Sequence, residues 1–156
     1  LAVAPPLLAD LALRRRAGGV EAVLATRALD GFVGLLDGLL GSRWRSGRTE
    51  HIMHVLVDAT QTLHRARRRR GHVSPREIFI DDRGAQARVC FLDLELSRRY
   101  LSTRAAAESD LRLLLPSLRN LGVEASLCRD IVERYRHAGI ALRDERIAAR
   151  PRQRAY

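Results

Sequence analysis

Apolar side chains recur at Ile52, Val55, Leu56, Ala59 and Leu63, offsets of 3, 4, 7 and 11 from the first. That spacing predicts one long amphipathic helix over residues 50–67, with Thr49 as its N-cap. His51, His54, Asp58, Gln61 and His64 fall mainly off this stripe. His54 and Asp58 stand one turn apart, the spacing of a metal pair, but read as solvated. A second helix is predicted over 104–121, capped by Thr103, striped by Leu111, Leu114, Leu115 and Leu118, kinked at Pro116 and stopped at Gly122. A third runs over 124–137, with Leu127, Ile131 and Tyr135 inward and Gly139 after it.

Between the first two helices the period changes. Two short β-branched and aromatic runs, 77–80 and 87–92, flank Asp81-Asp82-Arg83-Gly84, which is hairpin turn chemistry. Nearer the start, a strand over 2–9 or 11–15 followed by one over 21–27 predicts another hairpin, ending at Asp30-Gly31. Residues 32–40 read as a short helix, and 41–48 as a loop in which Trp44 is a packing residue or cover. Residues 141–156 are polar and basic, a helical tail that frays. No internal repeat is present.

Composition adds bounds. With 156 residues and 46% hydrophobic content, the chain is one domain or part of one, with enough apolar surface for a core. No run reaches the roughly 18 uncharged apolar residues of a membrane-spanning helix. The apolar start lacks a basic leader and carries Pro5-Pro6, so it is not read as a signal peptide. Cys90 and Cys128 are too few for a zinc site and read as buried thiols, in keeping with a reducing cytoplasm.

The net charge is +10, and all 28 basic residues are arginine. Without lysine, no mechanism that needs one within these residues applies. Guanidinium pairs bidentately with phosphate, so the surplus suits an anionic partner, although scattered composition bias would look the same. Arg65, Arg67, Arg68, Arg69 and Arg70 follow the long helix. There they complement the helix dipole or make a phosphate clamp. Nucleic acid is disfavoured, because stacking surfaces want several exposed aromatics and the sequence offers no RNP-type motif or recognition-helix signature.

Taken in order, five segments carry a resemblance: EAVLATRALDGF at 21–32, the helix at 50–67, GHVSPREIFI at 71–80, FLDLELSRR at 91–99 and ESDLRLLL at 108–115. They resemble the hinge, the helix before the catalytic loop, the catalytic loop, the metal-binding segment and the core helix of the lipopolysaccharide core-sugar kinases. This is the Kdo and heptose kinase group that includes the InaA-like proteins.

The resemblance implies an α+β, mostly α fold: a protein-kinase-like large lobe with the last strands of the small lobe and a catalytic-loop β-hairpin. Residues 1–31 would be the remnant of the small lobe and hinge, 32–140 the large lobe and 141–156 a basic tail. It implies ATP-dependent phosphoryl transfer, with Mg2+, to a core-sugar hydroxyl on a lipid-linked acceptor. The setting would be cytoplasmic, peripheral at the inner membrane, beside an anionic surface.

Aligned on Pro75-Arg76-x-Ile78-Phe79, Arg70 takes the place of the family's catalytic-loop His and His72 that of its catalytic Asp. Glu77 stands where the family has Asn or His, and Asp93 matches the metal-binding Asp. Asp110 matches the structural Asp that ties the core helix to the loop, and Thr26 and Ala28 are hinge candidates for the adenine. The catalytic Asp is thus replaced, and the glycine-rich loop, the phosphate-binding lysine and its Glu partner belong before residue 1. Two readings remain open beside a weakened enzyme: an inactive pseudokinase-type binding module and an arginine-rich nucleic-acid-binding protein.

Overall fold

The computed structural model describes residues 12–16, 19–23, 29–71, 73–92, 97–143 and 147, the first two segments and Ser46 by backbone alone. It is mixed α and β, mostly helix, with small antiparallel sheets. Strand β1 (Ala12–Arg16) pairs antiparallel with β2 (Gly19–Val23), Ala12 opposite Val23. The expected early hairpin therefore exists, but its second strand begins two residues before the predicted Glu21 and is described only to Val23. The alternative first strand over 2–9 lies outside the described residues.

Strand β3 (Val33–Gly34) leads directly into α1 (Leu35–Leu40), so the predicted short helix begins with two strand residues. These two pair with Ile80 and Phe79, which no local pattern announces. Trp44 is buried against α1, where a Cβ on Gly38 would collide with its indole. Glycine is what permits that close approach. The indole Nε1 donates to Asp82 Oδ2 at 2.8 Å, and Arg48 donates to the Asp82 carbonyl. Trp44 thus covers and anchors the hairpin turn.

The long helix, α2 (Ser46–Arg65), starts four residues before the predicted position. Thr49 is not its N-cap; it sits in the first turn and its hydroxyl donates back to the carbonyls of Trp44 and Arg45. The N-cap is Arg45, which makes no side-chain capping bond. α2 is buried on two sides. Ile52, Leu56 and Ala59 make the expected face, and Met53, Val57, Thr60 and His64 make a second. Gln61 and His64, off the expected apolar face, are buried because α2 packs against α3, α4 and two strands. Asp58 is exposed and pairs with Arg134 across to α4.

After α2 the chain forms β4 (Arg68–Arg69), which pairs with β7 (Arg98–Arg99). A single 3-10 turn, Pro75–Glu77, then precedes β5 (Ile78–Asp81), and β6 (Arg88–Phe91) returns beside it. Glu77 therefore precedes the strand rather than opening it. Its carbonyl still accepts from Leu92 N at 2.9 Å, extending the ladder by one step. Helix α3 (Thr103–Asn120) is capped by Ser102, whose hydroxyl accepts from Ala105 N, and not by Thr103. It runs continuously through Pro116. Helix α4 (Ala125–His137) follows. Gly122 and Gly139 end α3 and α4 at φ of +84° and +78°, a conformation that glycine adopts without steric cost.

The core joins the β5–β6 hairpin to the four described helices through Leu35, Met53, Ile78, Phe91, Leu114 and Ile131, among others. Ile147 also packs into it; the rest of 144–156 lies outside the described residues. Cys90 and Cys128 are buried and free, and burial pushes both thiols up. They are therefore protonated packing groups near neutral pH. No described helix is long and apolar enough to cross a membrane.

The hairpin turn contains an acid-sensitive lock. The nearly buried Asp81 carboxylate accepts from Arg83 Nε at 2.9 Å and from Arg88. The bonds from Arg83, then those from Arg88, hold its carboxyl well below the usual carboxylate range. A depressed carboxyl stabilises the fold fully above the unfolded-state value of about 4, and that contribution is lost as pH falls through the folded value. The stability difference between wild type and Asp81→Asn, measured by urea unfolding, is therefore expected to be larger at neutral pH than near pH 3.

Candidate functional site

Three elements of the predicted site converge on the buried turn between α2 and β5. The first is Asp110 on α3, fully buried on that helix's apolar face between Ala106, Ala107 and Leu111. A carboxylate there requires N–H partners. Its Oδ2 accepts from Arg70 N at 2.7 Å and from His64 Nε2 at 3.1 Å, and its Oδ1 accepts from Gly71 N at 3.4 Å. The far nitrogen of His64, Nδ1, lies 3.0 Å from the hydroxyl of Tyr135 on α4. Burial raises the Tyr135 phenol well above its ordinary value, so it keeps its proton. A carboxylate only accepts, so Nε2 is the donor to Asp110. One polar chain thus runs from α4 through α2 to α3 and ends on the backbone entering position 72.

The second element is Arg70, whose side chain is fully buried. Its Nη2 donates to the Glu77 carbonyl at 3.1 Å, to Glu77 Oε2 at 3.2 Å and to the Leu92 carbonyl at 3.1 Å. The guanidinium lies 4.8 Å from the centroid of the Phe91 ring. It therefore holds together the start of the loop, the carboxylate of Glu77 and the residue before Asp93. Two of the five arginines considered for a phosphate clamp at 65–70 are therefore taken up inside the protein. Arg70 points into the protein, and Arg69 is bound to the Tyr100 hydroxyl at 2.8 Å, Ser109 Oγ at 3.0 Å and the Gly71 carbonyl at 3.2 Å. Arg65, Arg67 and Arg68 remain exposed.

The third element is Glu77 itself, half-buried at the end of the 3-10 turn. Glu77, Arg70 and Asp110 are thus gathered at one turn, whereas His72, Asp93, Thr26 and Ala28 lie outside the described residues. Among the described residues no three His, Cys, Asp or Glu side chains come together as a metal would need. A divalent cation would find in Glu77 one hard oxygen donor whose charge Arg70 already engages. The described residues by themselves do not fit a cation. The His54–Asp58 pair does not form a metal site either, since Asp58 is engaged by Arg134.

Sequence reasoning missed His64, Tyr135 as its hydrogen-bond partner, and the inward turn of Arg70. A signal for the first was present: Asp110 lies on an apolar helical stripe, and a carboxylate in that position demands a buried donor elsewhere in the chain. Nothing in an unbroken arginine run says which member turns inward.

No curated protein matches the chain. The family described as Lipopolysaccharide kinase (Kdo/WaaP) matches residues 1–136, most of the chain's length. The ordered motifs and the fold agree with that match, and the chain belongs to the lipopolysaccharide kinase (Kdo/WaaP) family.

Proposed function

We propose that this chain forms the large lobe of a lipopolysaccharide core-sugar kinase and takes part in phosphoryl transfer from ATP to a sugar hydroxyl, at a reduced rate. What supports the reading, beyond the family, is the convergence on one turn of Arg70, Glu77, Asp110 and the chain entering positions 72 and 93. Phosphoryl transfer consists mostly of positioning, and a turn fixed by three helices suits it. In this reading Asp110 and Arg70 are positioning residues, and the chain near Thr26 and Ala28 meets the adenine. Asp93 and Glu77 would hold the magnesium that accompanies the nucleotide and neutralises phosphate charge.

His72 stands where the family has its catalytic Asp. An imidazole accepts a proton near neutrality but lacks the carboxylate's charge, and loss of a well-positioned base costs about 10²–10⁴ in rate. The Arg70–Glu77 pair adds to the deficit, because a cation at Glu77 must compete with a guanidinium 3.2 Å away. That pairing also favours a second reading, a pseudokinase-type module that binds without turnover.

The test is transfer of labelled γ-phosphate from Mg-ATP to isolated lipopolysaccharide core, with thermal unfolding followed in parallel. Slow incorporation that Asp93→Ala abolishes is the expected result. A thermal shift without incorporation selects the pseudokinase. Neither shift nor incorporation removes both readings.

A further inference from the structure

We infer that the face where α2 ends and α3 begins is a docking surface for anionic phospholipid bilayers. A recess of about 490 Å³ opens there, lined by Arg65, Arg67, Leu101, Ser102, Thr103 and Arg104. Among the described residues its lining includes three guanidinium groups and no carboxylate. Beside it, Arg68 and Arg99 are exposed and directly opposite each other on the β4–β7 ladder. Like charges in that register repel. None of these five arginines forms an ion pair with a described acidic residue, whereas Arg43, Arg70, Arg83, Arg88, Arg134 and Arg136 all do.

Leu101 stands at the rim with 97% of its surface exposed, more than any other large apolar residue described. Among the described residues none covers it, and Arg65, Arg67 and Arg104 line the recess beside it. Arg67 adds a further sign. It occupies the left-handed position after α2 at φ of +56°, where glycine would fit without strain. The chain keeps a guanidinium there at a cost in backbone energy.

A bilayer containing acidic lipids supplies what the described residues do not give these groups. Headgroup phosphates pair with the guanidinium groups, and the acyl boundary takes up a single apolar side chain. Nucleic acid would satisfy the arginines and leave Leu101 in water, so the leucine decides between them. The docking surface does not depend on the phosphoryl-transfer reading, and it can be tested without turnover.

The test is co-sedimentation of the full chain with phosphatidylcholine vesicles and with vesicles containing about 30% phosphatidylglycerol, over a range of salt. Binding is expected on the acidic vesicles alone and should weaken as salt rises. Arg67→Gly, which relieves the backbone, and Arg104→Ser are each expected to lower partitioning about fivefold. Leu101→Ser should lower it about tenfold, and Arg129→Ser, on the exposed side of α4, should change it less than about twofold. The inference fails if the chain does not pellet, if it pellets equally with both vesicles, or if Arg129→Ser matches Arg67→Gly. It also fails if single-stranded DNA displaces the chain and Leu101→Ser has no effect.

Discussion

Asp110→Ala is expected to lower the free energy of unfolding by about 3–5 kcal/mol, read from urea melts followed by far-ultraviolet circular dichroism. The carboxylate is fully buried and accepts from His64 Nε2 and from the amides of Arg70 and Gly71. Alanine would leave all three donors facing a cavity that is too apolar to solvate them. An orphaned buried donor costs about 1–3 kcal/mol. Asp110→Asn keeps one carbonyl oxygen, but its amide turns two hydrogens toward a site built from donors. It should therefore recover only part of the loss. A drop below about 1 kcal/mol in Asp110→Ala would mean that apolar packing alone holds the turn, and the positioning role of Asp110 would be withdrawn.

Arg70→Ala should be about as damaging, about 3–5 kcal/mol, for a different reason. The side chain contributes both volume and hydrogen bonds. Removing it leaves a void beside Phe91, frees the carbonyls of Glu77 and Leu92 from their donor, and takes the paired charge from Glu77. Arg70→Lys is the sharper variant. A single ammonium cannot span two carbonyls and a carboxylate that a planar guanidinium reaches together. It should behave much more like alanine than like the wild type. Arg70→Met with Glu77→Gln, compared with each single change, would give the coupling between the two side chains. If Arg70→Lys melts with the wild type, the guanidinium is not what joins Glu77 to the end of β6.

Much of this architecture is legible in local pattern. The spacing from Ile52 to Leu63 announces α2, Leu111 to Leu118 announces α3, and the period-2 runs around Asp81–Gly84 announce the hairpin. The helix starts were misread at Thr49 and Thr103. Ser102 stands next to Thr103 and propensity alone cannot choose between two adjacent hydroxyl residues, whereas α2 starts after Arg45, which makes no side-chain capping bond and so leaves no signal. The scarcity of aromatics also marked Trp44 as a packing residue or cover, although not its bond to Asp82.

The candidate site was legible in its residue types and order, but not in its wiring. Hydrophobic periodicity marks faces that carry apolar side chains, so the second buried face of α2 was hidden behind Thr60, Gln61 and His64. Those polar residues are buried because α3, α4 and the strands enclose the helix; α4 satisfies Gln61 and His64, and Thr60 donates back to the Leu56 carbonyl of its own helix.

What the sequence determined by itself was the three long helices, the central hairpin, their order and the family, because those follow from spacing along the chain. What only the tertiary structure decided was which polar residues go inside. One arginine of the run at 65–70 is fully buried between Glu77, Leu92 and Phe91, while Arg65, Arg67 and Arg68 face solvent. A buried charge is tolerated only where partners from distant segments meet it. Glu77 and Leu92 stand seven and 22 residues away along the chain, and no local pattern records that they close around Arg70.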